Sequence, residues 1–369
     1  MRNKIEIIIF VILLCGFGIG YLVLPQRDFS EMENRYLSKC PEFSWKDLLK
    51  GTYTEEFESY TADQIMGKDF LVKLNVAANR AVGVSEIQQV YIGKDGYLIQ
   101  DYQEPGELLQ ENLDYIRLFA MKHPDLDMTM LIVPNASEIY PEELPEFAQT
   151  YSQQSVIAEV KQSLEPQVQV VDATDTLLEH KEEELYFRTD HHWNALGTYY
   201  AYEALCEALE LEPVPYRQYD TYEVAQPFYG SLYSKAPVFD QIPDKMVLLT
   251  NPEGEYQVSY VSENRQSDSM LDYSYEEKKD KYAMYFGGNY PLTVIQSQGE
   301  IKEKVLILKD SYANSLVPLL ADKYGEIHMM DLRYYHDDVD AYIENEGITR
   351  VIFIHNVDFL STDNNFLWL

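Results

Sequence analysis

The apolar positions along this chain fall into three patterns. From Ile5 to Leu24 the residues are apolar or glycine, with Glu6 the only charge. About 20 such residues suffice to cross a bilayer as a helix. Arg2 and Lys4 precede the run, which predicts a cytoplasmic start (residues 1–4) and an exported remainder. Tyr21-Leu22-Val23-Leu24-Pro25 is too bulky for a small-x-small cleavage site, so the run (5–24) reads as an uncleaved signal anchor.

Residues 25–53 read as a membrane-proximal segment, and 54–369 as one α/β domain. Within it, helical periodicity marks Thr54 to Val82, interrupted at Met66-Gly67 and stopped by Gly83. It also marks Glu107 to Met121, Ser152 to Leu164 and Ala195 to Leu209. Val90-Tyr91-Ile92 and Tyr97-Leu98-Ile99 flank Gly93-Lys94-Asp95-Gly96, a hairpin signal.

Short apolar runs mark buried strands. Met128 to Val133 and Val168 to Val171 are two of them. Val305 to Leu308 is a third, followed by a helix from Asn314 to Tyr324 that Gly325 stops. Ile327 to Leu332, a helix from Val339 to Glu346 stopped by Gly347, and Val351 to Ile354 complete a βαβαβ pattern. Such a pattern predicts parallel strands with right-handed crossovers, and about five of them in a doubly wound sheet. Residues 213–291 are Tyr-rich and irregular, and read as an inserted or lid-like β region.

Charge narrows the partners. The 62 acidic residues against 29 Lys and Arg give a net charge of −33, which opposes binding to nucleic acid or to an anionic membrane surface. Cys15 lies in the apolar run, so Cys40 and Cys206 are the pair left for a bridge, and the cysteines have no zinc spacing. Tyr is abundant, at 31, and such rings suit both packing and stacking on sugars.

Chemistry concentrates at two places. Asp190-His191-His192-Trp193-Asn194 sets an acid, two imidazoles, an indole and an amide side by side, just before a helix that Asn194 can cap. A histidine base needs an acid to set its tautomer, and Asp190 with His192 supplies that pair. In an open parallel sheet, ligands bind beyond the carboxyl ends of the strands. Those ends carry Lys309-Asp310-Ser311-Tyr312, Asp331-Leu332-Arg333 and His355-Asn356. Ser311, between strand and helix, is the candidate nucleophile, and its own amide could hold an oxyanion. An N-capping serine is the bland alternative. His191 is a candidate hydrogen-bonding neighbour of the base. No metal or other cofactor is expected, since a Ser–His–Asp set makes its nucleophile without one. Trp193 reads as packing or as a substrate platform, and Arg333 and Tyr312 as substrate contacts.

The Asp190-His191-His192-Trp193 run resembles the signature of the DHHW family, bacterial extracytoplasmic proteins similar to the SGNH-like domains of alginate O-acetyltransferases. Further stretches resemble family motifs: Ser30-Glu31-Met32-Glu33-Asn34-Arg35, Val90 to Leu98, Pro134-Asn135 through Tyr140-Pro141, and Tyr229-Gly230-Ser231-Leu232-Tyr233-Ser234. The resemblance implies an SGNH-hydrolase-like fold in which the nucleophile follows the base, a circularly permuted motif order. It implies Asp190 and His192 as acid and base, Ser311 as nucleophile, and Asn356 in the oxyanion hole. Two positions differ from the SGNH pattern. Lys309-Asp310-Ser311 lacks the Gly of Gly-Asp-Ser, and Arg333 stands where an oxyanion Gly is expected.

The implied activity is that of a membrane-anchored extracytoplasmic serine O-acetyltransferase or acetylesterase. Its substrate would be a cell-envelope or exported polysaccharide, with acetyl supplied by a membrane-bound O-acyltransferase. The rival expectation is a non-catalytic polysaccharide-binding or assembly protein on a degenerate hydrolase fold.

Overall fold

A computed structural model describes residues 2–23 and 25–369. The chain divides into two compact units: residues up to Ile87 with Tyr233–Gln241, and Gln88–Leu232 with Ile242–Leu369.

In the first unit, Arg2–Val23 form one helix. The expected start at Met1, the end of the apolar run at Leu24 and several side chains of this helix lie outside the described residues. Among the described residues no helix is long and apolar enough to cross a membrane, so the expected membrane-spanning helix is not found there. Helices Thr52–Asp63 and Lys68–Ala81 follow, broken where Gly67 turns left-handed, as the Met66-Gly67 interruption predicts. The Ser30–Arg35 motif closes over this break. Lys68 Nζ bonds Asp63 at 2.7 Å and Glu33 at 2.5 Å, and Arg35 Nη1 bonds Asp63 at 2.9 Å. The Arg35 guanidinium holds the Asp63 carboxyl well below the usual range.

In the second unit, among the described residues, eight strands form one sheet. They are β1 (Asp127–Val133), β2 (Gln169–Asp172), β3 (Tyr256–Tyr260), β4 (Arg265–Ser267), β5 (Leu292–Ser297), β6 (Ile301–Lys309), β7 (Tyr324–Met330) and β8 (Arg350–Asn356). The spatial order is β4-β3-β5-β7-β6-β8-β1-β2. The run from β7 to β2 is parallel, as the sequence predicts, while β5, β3 and β4 continue the sheet antiparallel. Within the Tyr-rich region, β3 and β4 extend the main sheet, while Asp220–Glu223 and Val247–Thr250 pair with each other as a separate two-stranded sheet. Just after it, β5 covers what would otherwise be the open edge of β7.

Side chains alternate between the faces. Val305 and Ile307 join one apolar cluster, Leu306 and Leu308 the other. On the first face pack α3 (Ala195–Ala208) and α4 (Ala313–Leu320). On the second pack α1 (Glu107–Lys122), α2 (Gln153–Leu164), α5 (Val339–Glu346) and α6 (Val357–Thr362). Both faces are thus covered, which is why the central strands read as predominantly apolar runs. One boundary departs from expectation. Helix α4 stops at Leu320, not Tyr324, because Tyr324 already pairs with Ile301 as the first residue of β7.

Asn194 caps α3 as predicted, accepting from Leu196 N at 2.9 Å and Gly197 N at 3.2 Å. A Cβ on Gly197 would lie 2.3 Å from Leu185 O and 3.0 Å from Trp193 Cβ. That carbonyl is backbone and already accepts from Asn194 N, so it cannot step aside cheaply. Gly197→Ala is expected to destabilise the fold by about 1–3 kcal/mol through overpacking. Urea melts check this, and an unchanged midpoint would show that the turn before α3 yields without cost.

Candidate active site

The residues Leu185 to Asn194 form a tight turn whose ends pair. Tyr186 bridges Trp193, Phe187 N donates to His192 O at 3.2 Å, and Asn194 N donates to Leu185 O at 2.8 Å. Asp190, His191 and His192 sit at its tip. Asp244 braces the turn from outside, accepting from the amides of Arg188 and Thr189, each at 2.8 Å.

Asp190 is buried and fully bonded. Its Oδ1 faces His192 Nδ1 at 2.6 Å and accepts from His192 N at 3.0 Å, while Oδ2 accepts from Ser231 N at 2.7 Å. A Cβ on Gly230 would fall 2.3 Å from Asp190 Cβ, so only glycine lets the 228–231 segment approach this closely. Burial opposes the charge on Asp190, but the His191 and His192 rings and the Ser231 amide outweigh it and hold the carboxyl far below its ordinary range.

Strand β6 ends at Lys309, and the turn to α4 delivers Ser311. His192 Nε2 lies 2.8 Å from Ser311 Oγ. With Asp190 ionised, the imidazole proton belongs on Nδ1, which leaves the Nε2 lone pair facing the serine hydroxyl. Asp310 locks the turn: Oδ1 accepts from Tyr312 N at 2.8 Å and Oδ2 from Asn356 N at 2.6 Å. Its carboxyl is raised by burial to about 6. Sequence reasoning thus places Asp190, His192 and Ser311 together, as found. His191, half-buried, is bonded through Nδ1 to Ser231 Oγ at 2.6 Å.

Other expected contacts are corrected. Trp193 is wholly buried, and its indole N–H goes to Ser315 Oγ at 2.8 Å, so it presents no platform. Tyr312 is buried as well, and its hydroxyl donates to His191 O. Neither offers a surface to substrate. Arg333 is tied to Asp331 by Nε at 2.8 Å and Nη2 at 2.6 Å. Behind it Lys309, with no exposure, lies 3.2 Å from Asp331 and 2.9 Å from Asn314 Oδ1. Burial works against charge on both partners; it lowers Lys309, while Asp331 is held down by Lys309 and Arg333. Asn356 caps α6, accepting from Asp358 N at 3.0 Å, and gives one amide hydrogen to Val133 O at 3.0 Å.

Cys15, Cys40 and Cys206 are all free, so Cys40 and Cys206 do not bridge; Cys40 is exposed and Cys206 buried. Ligand atoms of Asp190, His191 and His192 lie within 4.8 Å of one another, a spacing a cation could use. Both His192 nitrogens, however, already face Asp190 and Ser311.

Sequence reasoning missed Tyr282, whose ring stacks on His192 with centroids 3.7 Å apart and planes 6° apart. One tyrosine among 31 in an irregular stretch carries no local signal. It also missed the structural parts played by Gly230, Ser231 and Asp244.

The fold is that of an α/β protein, in which a serine hydroxyl, an imidazole and a buried carboxylate lie in hydrogen-bonding succession at the carboxyl edge of a largely parallel sheet. The chain belongs to the DHHW family, whose profile, described as DHHW protein, matches residues 120–330. A DHHW family protein from Eubacterium siraeum is similar in structure, with a TM-score of 0.66 and 25% identity over 75% of this chain and 92% of that one. Bacillus cereus PatB1, solved with a sulfonyl adduct, gives a TM-score of 0.64 at 22% identity, over 74% of this chain and 96% of that one. The O-acetyltransferase domain of Pseudomonas putida AlgJ gives 0.48 at 18% identity, over 74% and 93%. No curated protein matches the chain.

Beside the site, His355 is buried on β8 and its Nδ1 has no hydrogen-bond partner among the described residues. Burial, with Arg333 and Lys309 adding to it, pushes its pKa down to about 3. Between that value and about 6.5 the unfolded chain takes up a proton that the folded chain refuses, so stability falls as pH falls through this window. From pH 7.5 to pH 5 the loss from this residue is about 2 kcal/mol. His355→Phe is expected to remove that part of the acid sensitivity, measured by urea melts at the two pH values. Equal losses in both proteins would show that His355 is protonated in the folded state.

Proposed function

We propose that this protein is an extracytoplasmic serine O-acetyltransferase or acetylesterase acting on a cell-envelope or exported polysaccharide. The observation that carries the catalytic reading is the relay Ser311–His192–Asp190, with links of 2.8 Å and 2.6 Å. Membership of the DHHW family and the motif order in the sequence support the acetyl and polysaccharide parts.

In this reading, His192 Nε2 takes the Ser311 proton as Oγ bonds to the acyl carbon. The amide of Ser311 and the side chain of Asn356 donate to the oxyanion, Asn356 through the hydrogen not given to Val133. The bond to the leaving oxygen then breaks, and that oxygen takes the proton back from His192. A sugar hydroxyl or water next gives its proton to His192 and attacks the acyl-serine; the acyl–Oγ bond then breaks and Ser311 Oγ takes that proton from His192. Transfer and hydrolysis differ only in this acceptor. Throughout, Asp190 stays ionised, orients the ring and supports its positive charge.

Labelling by a serine-directed phosphonate and hydrolysis of an aryl acetate test the site. Ser311→Ala is expected to abolish labelling, and His192→Ala nearly so. Asp190→Asn should leave the fold intact, as judged by circular dichroism, and lower turnover by on the order of 10⁴. Wild-type labelling of Ser311→Ala, or labelling at Ser315, would overturn the assignment.

Placement outside the cytoplasm is supported by membership of the DHHW family, whose members the sequence resemblance describes as extracytoplasmic. A C-terminal alkaline phosphatase fusion is expected to be active in bacteria. An inactive fusion, with a cytoplasmic reporter active at the same position, would reverse the topology.

A further inference from the structure

Hydrogen bonds fix an imidazole within its own plane but resist tipping out of that plane poorly. Asp190 and Ser311 supply the in-plane contacts of His192. Its two faces are covered by other means. Tyr282 lies almost parallel to the ring, with a centroid distance of 3.7 Å and an angle of 6°. His191 covers the ring too, at 3.8 Å and 37°, and Tyr312 approaches at 4.9 Å and 53°.

Tyr282 is itself immobilised. It is 5% exposed, and its hydroxyl donates to Ser315 Oγ at 3.1 Å. Ser315 also receives the Trp193 indole at 2.8 Å, faces Thr198 Oγ1 at 2.9 Å and donates to Tyr312 O at 3.3 Å. The hub therefore joins α3, α4 and the 282–284 turn, and fixes the height of the tyrosine ring against the imidazole.

We propose that Tyr282 is a positioning residue for His192: with His191 it forms an aromatic clamp that holds the ring in its plane, and the Tyr282 face favours the imidazolium generated during acyl transfer. This rests on the Ser311–His192–Asp190 reading above. The face of a phenol ring carries negative charge density and attracts a cation lying over it. The attraction is weak for a neutral imidazole and grows as His192 takes the serine proton, so it lowers the barrier more than it aids substrate binding. The ring face supplies this effect, and the hydroxyl serves only to hold the ring.

Kinetics of aryl acetate hydrolysis and the rate of phosphonate labelling at Ser311 test the clamp in the full-length chain. Tyr282→Leu is expected to lower kcat roughly 3- to 30-fold with KM nearly unchanged, the range that a cation–π contact spans. Tyr282→Phe keeps the ring face and should recover most of the rate. His191→Ala, at a half-exposed position and so little threat to folding, should lose part of kcat, and less than His192→Ala. Circular dichroism confirms that each variant is folded. A wild-type rate in folded Tyr282→Leu would overturn the clamp, as would Tyr282→Phe falling as low as Tyr282→Leu. Should Tyr282→Leu fail to fold, a wild-type kcat in His191→Ala would do the same. Failure of the underlying catalytic reading looks different: Ser311→Ala would then retain hydrolysis and labelling.

Discussion

A buried carboxylate that stays ionised must have its oxygens answered by donors, and much of this site is arranged to answer Asp190. Three donors reach it: the Nδ1 and the amide of His192, and the amide of Ser231. They come from separate stretches of chain, so satisfying one charge draws the 185–194 turn and the 228–231 segment together. Gly230 permits the approach because a side chain there would occupy the place of Asp190. His192 then passes the constraint on, since a ring held at Nδ1 has one direction left for Nε2, and Ser311 lies along it.

The sheet supplies the other half. Parallel strands β6, β7 and β8 end at one edge, and each releases a polar residue there: Asp310, Asp331 and Asn356. Asp310 ties the serine turn to β8 through the amides of Tyr312 and Asn356. Asp331 gathers Lys309 and Arg333 into a buried ionic group beneath the same edge. Removing Asp331 would leave Lys309 and Arg333 without the carboxylate they share, which is costly inside a protein. Ser311 thus stands on a rim held in place by packed strands and by the bonds of Asp310 and Asp331.

Several sequence expectations assigned the right chemistry to the wrong surface. Trp193 and Tyr312 carry polar tips suited to ligands, yet both spend those tips inside the core. Burial decides the matter, and burial depends on what other segments place over a residue. The same holds for the Tyr-rich stretch. Its strand β3 looks isolated along the chain, but it joins the main sheet through β5, which in turn finds its partner in β7, a strand that lies further on. Tyr282, deep in that stretch, became part of the site only through the path that brings it onto His192.

Local signals were sufficient wherever the deciding interaction is local. Predominantly apolar runs marked β1, β2, β6, β7 and β8 because both sheet faces are covered. Caps such as Asn194 and stops such as Gly347 act within a turn of their own helix. Asp190 and His192 were readable as a pair because two residues of separation suffice for their contact. The length of α4, the pairing of β5 and the free state of Cys40 and Cys206 were not readable in this way. Neither was the stacking of Tyr282, 90 residues after His192 in the numbering, nor the need for glycine at 230. Each of these depends on a distance between chain segments far apart in sequence, and only the packed tertiary structure sets such distances.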